Sequence, residues 1–342
     1  MAAEQQRLAS IQSSVDTFSQ SVLSGLGLTA EARCLEVGPG AGSIAGWLAT
    51  RHADVVAVDK DLTTFAAPRP TTLRLLQADL TTLTWPPTRH PPPNASPPAR
   101  HRSSDASDQA CRGSSDASDQ ACRGSSDPSD QPASNDQPAS TDQLTSTDQL
   151  TSTDHAASVD QPASTAQPTS ADQAGLVDQP ASGEWPEAFD LIHARFVLCH
   201  LPERDDLISR LAGWLVPGGW LVITDPYQLP AATSPYPLLQ RLLAAYETRY
   251  GKHGTDLTWS RGLPARLAAA GLTNLGHAGQ LGCLGNGPRD RWRPLIEPVL
   301  PELLDLGLIT PDDVEQWRTA LADPAFVDIP QFTLAAWGRR PR

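Results

Sequence analysis

Residues 34–42 read CLEVGPGAG, an apolar stretch followed by glycines at alternate positions, and this segment constrains the fold most. The apolar stretch predicts a buried strand, and Gly38, Gly40 and Gly42 predict a turn into a helix that begins near Ser43. Glycines allow the backbone to approach a ligand closely, because no Cβ stands in the way. A dinucleotide fingerprint would place its third glycine at position 43, so this spacing differs from it. We therefore expect an α/β fold with a nucleotide-type loop after its first strand.

The pattern of an acid followed by alternate glycines, Glu36, Gly38, Gly40 and Gly42, resembles the first motif of the class I S-adenosylmethionine-dependent methyltransferases. Four later segments resemble strands two to five of that family in the right order, and they are residues 55–59, 73–80, 189–195 and 215–223. Five such motifs in order make a specific signal. The resemblance implies a Rossmann-like, seven-stranded, mostly parallel sheet of order 3-2-1-4-5-7-6, with helices on both faces and an antiparallel last strand.

The resemblance also implies a cofactor, S-adenosyl-L-methionine, and the residues that bind it. In the family the acid at the end of strand two, here Asp59, hydrogen-bonds both ribose hydroxyls, and two carboxylate oxygens suit two adjacent donors. The acid after strand three, here Asp79, accepts from the adenine amino group, and Leu80 covers the ring edge. The full predicted cofactor-binding set is Glu36, Gly38, Pro39, Gly40, Gly42, Asp59, Lys60, Asp79, Leu80 and Ala194.

Two residues at the end of strand four, His193 and Arg195, are the candidate catalytic residues. An imidazole beside the transferred methyl group would remove a proton from a hydroxyl or amine nucleophile near neutral pH. A packed, hydrogen-bonded His193 is an equally good interpretation. Arg195 is expected to line the pocket or to hold an acidic group of the substrate, whereas His200 occupies a position that is usually structural in the family. Methyl transfer is an in-line displacement, so alignment in a dry pocket supplies most of the acceleration.

Residues 86–185 differ in composition from the rest of the chain and predict an insert. They consist almost wholly of Ser, Asp, Gln, Pro, Ala and Thr, and an Asp-Gln step recurs every six residues from Asp130 to Asp178. No repeat carries enough apolar surface to offset its ordering entropy, so we expect disorder here. Removing the insert joins two halves of one domain, residues 1–85 and 186–342, through a short connection between strands three and four.

The charge distribution argues against a nucleic-acid partner. Residues 86–185 hold thirteen Asp, one Glu and five Arg, so they contribute −9 of the formal charge of −13 and leave the rest at about −4. The whole chain has only two lysines, Lys60 and Lys252, and no basic run that would neutralise phosphates. Five cysteines form neither a metal spacing nor a disulfide framework. We expect a cytoplasmic monomer or homodimer without membrane contact, because the sequence has neither a signal peptide nor a spanning apolar stretch.

The remaining segments predict helices around the sheet. An apolar stripe at residues 8–22 predicts an N-terminal helix, and another helix is expected at 238–250. All four tyrosines fall within 24 residues after strand five, and helix packing explains them better than an aromatic substrate cage. A helical hairpin at 288–323, with Thr310 as an N-cap, resembles one in bacterial small-molecule methyltransferases that end in Trp-Gly-Arg-Arg-Pro, as residues 337–341 do here. Such inserts usually cap the substrate site.

The leading hypothesis is therefore an enzyme that transfers a methyl group from S-adenosylmethionine to a small molecule. A nucleic-acid methyltransferase is second, because residues 35–40 also resemble ribosomal RNA adenine dimethyltransferases. Those enzymes carry an Asn-Leu-Pro-Tyr-like motif after strand four, where residues 193–196 read His-Ala-Arg-Phe, which argues against them. A nicotinamide-dependent oxidoreductase is third, disfavoured by the glycine spacing, and a catalytically silent binding protein is fourth.

Overall fold

Seven strands form one sheet in the order β3-β2-β1-β4-β5-β7-β6. The strands are β1 (Arg33–Val37), β2 (Asp54–Asp59), β3 (Leu73–Gln77), β4 (Phe189–Arg195), β5 (Leu215–Gln228), β6 (Thr273–Leu284) and β7 (Asp328–Arg339). Neighbouring strands are parallel from β3 to β5, and β7 runs antiparallel to β5 and β6. The predicted strand order and the antiparallel last strand are confirmed. The apolar runs of β1, β2 and β4 are buried, as expected for strands covered on both faces.

This computed structural model describes residues 12, 15–86, 185–285 and 290–342. The repeat insert therefore lies outside the described residues, apart from Pro86 and Trp185 at its two ends. The described ends are close together, because the Trp85 Nε1 donates to the Pro186 carbonyl at 2.8 Å. The rings of Trp85 and Trp185 also pack edge-on, with centroids 6.0 Å apart.

Eight α-helices occur in the described part of the chain. They are α1 (residues 15–24), α2 (Ser43–Ala49), α3 (Arg204–Gly213), α4 (Pro237–Gly251), α5 (Leu263–Ala269), α6 (Arg293–Ile296), α7 (Leu300–Asp305) and α8 (Pro311–Leu321). None of the helices formed by the described residues is both long and apolar enough to cross a membrane. The predicted N-cap of α8 is confirmed. The Asp313 N–H donates to the Thr310 hydroxyl at 3.2 Å, and the Thr310 N–H donates to the Asp313 carboxylate at 2.9 Å, which forms a capping box.

Three of the four tyrosines and the predicted hairpin form a second core beside the sheet. Helix α4 packs against α6, α7 and α8 in an apolar cluster that includes the buried Trp292 and Trp317. The Tyr246 ring lies 4.6 Å from the Tyr250 ring and 5.8 Å from the Trp292 ring, measured between centroids. Helix packing therefore accounts for Tyr236, Tyr246 and Tyr250, whereas Tyr227 lies in β5 opposite Phe332 of β7.

Candidate active site

A cavity of about 450 Å³ opens at the carboxyl ends of β1, β2, β3 and β4. It lies where the strand order reverses between β1 and β4, which is the usual ligand position in an open α/β sheet. Its volume falls in the range of sites for small molecules and cofactors. The loops that follow the four strands form most of its walls, and Gln12, a helical residue shortly before α1, also lines it.

Most of the predicted cofactor residues line this cavity. Those that do are Gly38, Pro39, Gly40, Asp59, Lys60, Asp79 and Leu80. Glu36, Gly42 and Ala194 do not line it, and each has another contact that accounts for its burial or its conformation. Ala194 is 1% exposed and belongs to the apolar cluster on one face of the sheet.

The glycines of the first loop serve two different purposes. Gly38 has a φ of +65°, and a Cβ at this position would overlap the side chain of Val197, which lines the cavity. Gly42 has a φ of +91° and caps α2, and its Cβ would lie 2.5 Å from the Phe65 ring. Gly38 therefore brings the loop and the chain after β4 together at the cavity, whereas Gly42 permits packing outside it.

Two carboxylates face the cavity from neighbouring strand ends. The Asp59 carboxylate accepts the Asp61 N–H through Oδ1 at 3.1 Å, and burial raises the pKa of Asp59 above its ordinary value. The Asp79 Oδ1 accepts both the hydroxyl and the N–H of Thr81, at 2.7 and 2.8 Å, and these bonds lower the pKa of Asp79. Each acid thus uses Oδ1 for its own turn, and a carboxylate has about four acceptor sites, so both acids keep capacity to accept from a ligand.

Arg195 lines the cavity, but its charge is already paired. The guanidinium donates through Nη1 to the Asp16 carboxylate of α1 at 2.7 Å and through Nη2 to the Ser43 hydroxyl at 3.3 Å. Its side chain is only 8% exposed. This pairing places the Arg195 guanidinium between α1 and α2, and a role of Arg195 toward an acidic substrate group stays a prediction. The sequence did not predict Asp16 as the partner of Arg195, because the two residues are 179 positions apart and no local pattern connects them.

His193 and Glu36 form a buried pair beside the cavity. They lie opposite each other on the parallel strands β4 and β1, and the His193 Nδ1 is 2.7 Å from the Glu36 Oε2. The two side chains are 0% and 2% exposed. This is the packed, hydrogen-bonded arrangement that the sequence left open for His193. The Glu36 carboxylate thus bonds a histidine and does not line the cavity, and its role in cofactor binding stays a prediction.

Asp225 is a second buried acid near the site that sequence reasoning missed. Its side chain is 0% exposed, and it accepts the Cys199 N–H at 3.0 Å, which anchors the short turn Leu198–His200. Burial raises the pKa of Asp225 to about 7.

The segment that Asp225 anchors contributes His200 and Val197 to the cavity wall. The His200 Nδ1 lies 2.9 Å from the Thr255 hydroxyl, which agrees with a structural role for His200. The sequence feature that could have pointed to Asp225 is its position directly after the apolar run of β5.

Two methyltransferases of one fungus match short segments of this chain. The methyltransferases str3 and str2 of Strobilurus tenacellus are 48% identical over 40 residues and 50% identical over 38 residues. These alignments cover 12% and 11% of this chain and 14% of the length of either relative.

Solved structures align over most of the described fold. The phosphoethanolamine N-methyltransferase 2 of Haemonchus contortus aligns with a TM-score of 0.47 at 12% identity, over 95% of this chain and 53% of the other. The YcgJ protein of Bacillus subtilis aligns with a TM-score of 0.44 at 12% identity, over 94% and 97%. The model of the family described as "Methyltransferase domain" matches residues 4–277. The chain therefore belongs to the methyltransferase-domain family.

Proposed function

We propose that this protein transfers a methyl group from S-adenosyl-L-methionine to a small molecule. The observation that carries the proposal is the cavity at the strand ends, which has two acids and a glycine loop in its walls. Asp59 and Asp79 each offer a carboxylate oxygen there, and Gly38 keeps the loop free of a Cβ. These groups fit a ligand with a ribose diol, an exocyclic amine and a charged amino-acid tail, so the cofactor suits the residues present.

The cofactor would supply an electrophilic methyl group bound to a positively charged sulfur. The chain would supply binding and alignment: Asp59 would accept from the ribose hydroxyls, Asp79 from the adenine amine, and Leu80 would cover the ring, since all three residues line the cavity. The bond between Asp16 and Arg195 holds helix α1 next to the cavity. Alignment in a water-poor site accounts for much of the acceleration of such a displacement.

The charge of the chain supports a small-molecule acceptor over a nucleic acid. The whole sequence has two lysines and a formal charge of −13, and a nucleic-acid enzyme needs cations that neutralise phosphates. Arg195, the last residue of β4, lines the cavity, and its positive charge is paired with the Asp16 carboxylate. A cytoplasmic location and a monomeric or homodimeric state are part of the same proposal.

Calorimetry with S-adenosylmethionine and S-adenosylhomocysteine tests the proposal. Both ligands are expected to bind, and replacing Asp59 by Ala should weaken binding by about 1–3 kcal/mol through the loss of charge-assisted hydrogen bonds. Asp61→Ala is the matched control, because Asp61 is exposed and its carboxylate bonds the Thr63 N–H instead of facing the cavity. Binding of a nicotinamide cofactor without binding of S-adenosylmethionine would overturn the assignment.

A further inference from the structure

Strand β6 forms one edge of the sheet and lacks the side chains that usually protect an edge. Apart from β7, the described part of the chain pairs with β6 only through one bridge near its end, between Cys283 and Asp290. Natural edge strands often carry charged residues or proline, which prevent pairing with another chain. Residues 273–284 read TNLGHAGQLGCL and contain neither. The backbone groups along this edge are therefore open to a further strand.

Two leucines of β6 expose much of their apolar surface on the same face of the sheet. Leu275 is 42% exposed and Leu281 is 46% exposed. Leu281 pairs with Phe332 of β7. A Cβ built on Gly338 of β7 would lie 2.8 Å from the Leu275 Cδ2, and Gly338 lies on the face of Phe332 because alternate residues of a strand share a face. Both leucines therefore stand on one face, directly at the open edge.

The sequence of β6 is complementary to itself when two copies run antiparallel about Ala278. Residues directly opposite each other in an antiparallel pair point to the same face. The opposed pairs are Leu275 with Leu281, Gly276 with Gln280, His277 with Gly279, and Ala278 with Ala278. Each of these glycines thus faces a larger side chain, and each exposed leucine faces the other. A centre one residue later would place Gly276 opposite Gly282 and Leu281 opposite His277, so it lacks this match.

Charge and size favour a second copy as the partner and predict a weak complex. Since β6 has no charged residue, pairing with itself brings no like charges together. The register with β7 shifts near both ends of β6, so we expect pairing over residues 275–281. Seven paired residues span about 23 Å, and a contact of that length buries less than the about 1,200 Å² at which stable interfaces begin. A dissociation constant in the micromolar range is therefore expected.

We infer that β6 pairs antiparallel with β6 of a second copy, about a two-fold axis at Ala278, and that the protein forms a homodimer with one continuous sheet. A contact between identical strands related by a two-fold axis is closed, so assembly stops at the dimer. None of the residues that line the cofactor cavity belongs to β6. The inference is therefore independent of the proposed function, and both copies keep an open cavity.

The side chains of β7 behind the edge add to the contact. A Cβ built on Gly279 would lie 3.6 Å from the Leu334 Cδ2, and one built on Gly276 would overlap the Trp337 ring. Leu334 and Trp337 are both partly exposed. Because the glycines have no side chains, the residues that face them in a second copy reach past the edge to Leu334 and Trp337. The dimer contact thus covers apolar surface of two strands from each copy.

Sedimentation velocity of the full chain over about 1–100 μM tests for the dimer, which should grow with concentration. Leu281→Lys places a charge against Leu275 of the second copy and should raise the dissociation constant about tenfold or more. Leu306→Lys is the matched control, because Leu306 is 41% exposed at the end of α7, outside β6. A monomer at every concentration overturns the inference, and so does equal weakening, or no weakening, by the two folded variants.

Disulfide formation tests the register at the two-fold axis. In a full chain with Cys111, Cys122 and Cys283 replaced by Ser, Ala278→Cys places two thiols opposite each other, with Cα atoms about 4.5–5.5 Å apart, which a disulfide spans. Mild oxidation should therefore give a covalent dimer. His277→Cys is the control, because the two copies of residue 277 lie diagonally, beyond the about 7 Å that a disulfide bridges. No covalent dimer from Ala278→Cys, or equally fast formation from His277→Cys, overturns the inferred register.

Discussion

The Asp16 carboxylate of α1 lies 2.7 Å from the Arg195 Nη1 at the end of β4, and the same oxygen accepts the Ser43 hydroxyl of α2 at 3.0 Å. One carboxylate thus connects three elements that surround the cavity. Gln12, four residues before Asp16, lines that cavity. The N-terminal helix is therefore a wall of the site, and this wall is held by a mostly buried ion pair.

Replacement of Asp16 by Ala should destabilise the protein and weaken cofactor binding. The change leaves the largely buried Arg195 guanidinium without its carboxylate, which we expect to cost about 1–3 kcal/mol in the free energy of unfolding. Urea unfolding followed by circular dichroism measures the loss. Asp16→Asn keeps an acceptor for both donors and should lose less. Equal stability of all three proteins would show that the ion pair does not hold α1.

Replacement of Gly38 by Ala should be more damaging than the same change at Gly271. Both glycines have a positive φ, which costs an L-residue about 1–2 kcal/mol, but a Cβ at Gly271 has nothing within 4 Å while one at Gly38 overlaps Val197. Thermal melts with and without S-adenosylmethionine measure stability and the ligand-induced shift. The double variant Gly38→Ala, Val197→Ala relieves the overlap and should recover part of the loss. If the double variant is no more stable than Gly38→Ala, the overlap with Val197 does not contribute to the loss of stability, and the positive φ alone explains it.

Stability should depend on pH through Asp225. Its folded pKa of about 7 lies above the ordinary value of 3.8, so between these values the folded state binds more protons than the unfolded state. The stabilisation from this group is complete below pH 4 and is lost as pH rises through 7, with an upper bound of about 4 kcal/mol. Asp225→Asn does not titrate. Its stability relative to the unmodified protein should therefore rise between pH 4 and 7, and a constant difference would contradict this.

Deletion of the repeat insert should leave the fold and cofactor binding intact. Because Trp85 bonds Pro186 directly, a short Gly-Ser linker from Pro86 to Trp185 closes the gap, and loop-closure entropy predicts stability equal to or about 1–3 kcal/mol above that of the full chain. The Arg74 guanidinium lies 5.1 Å from the Trp185 ring centroid. A shorter version that also removes Trp185 should therefore be less stable. Failure of the first version to fold, or to shift its melt with S-adenosylmethionine, would make the insert an integral part of the domain.

The sequence by itself determined the order of the elements and most of the glycine-rich loop after β1. Strands such as β2 (Asp54–Asp59), the turn at Gly38 and the capping box at Thr310 are local, because they depend on apolar runs, glycine conformation and hydrogen bonds between near neighbours. The family resemblance then supplied the order of the strands in the sheet.

Only the tertiary structure decided which buried polar groups meet. His193 and Glu36 are 157 residues apart in sequence, and Arg195 and Asp16 are 179 apart, so no local pattern announces either pair. Strand register sets the first pair, because adjacent parallel strands place these two side chains opposite each other on one face. The packing of α1 on the end of β4 sets the second. The same residue types would have other partners in a different register, and this is why the sequence could name His193 and Arg195 but not their contacts.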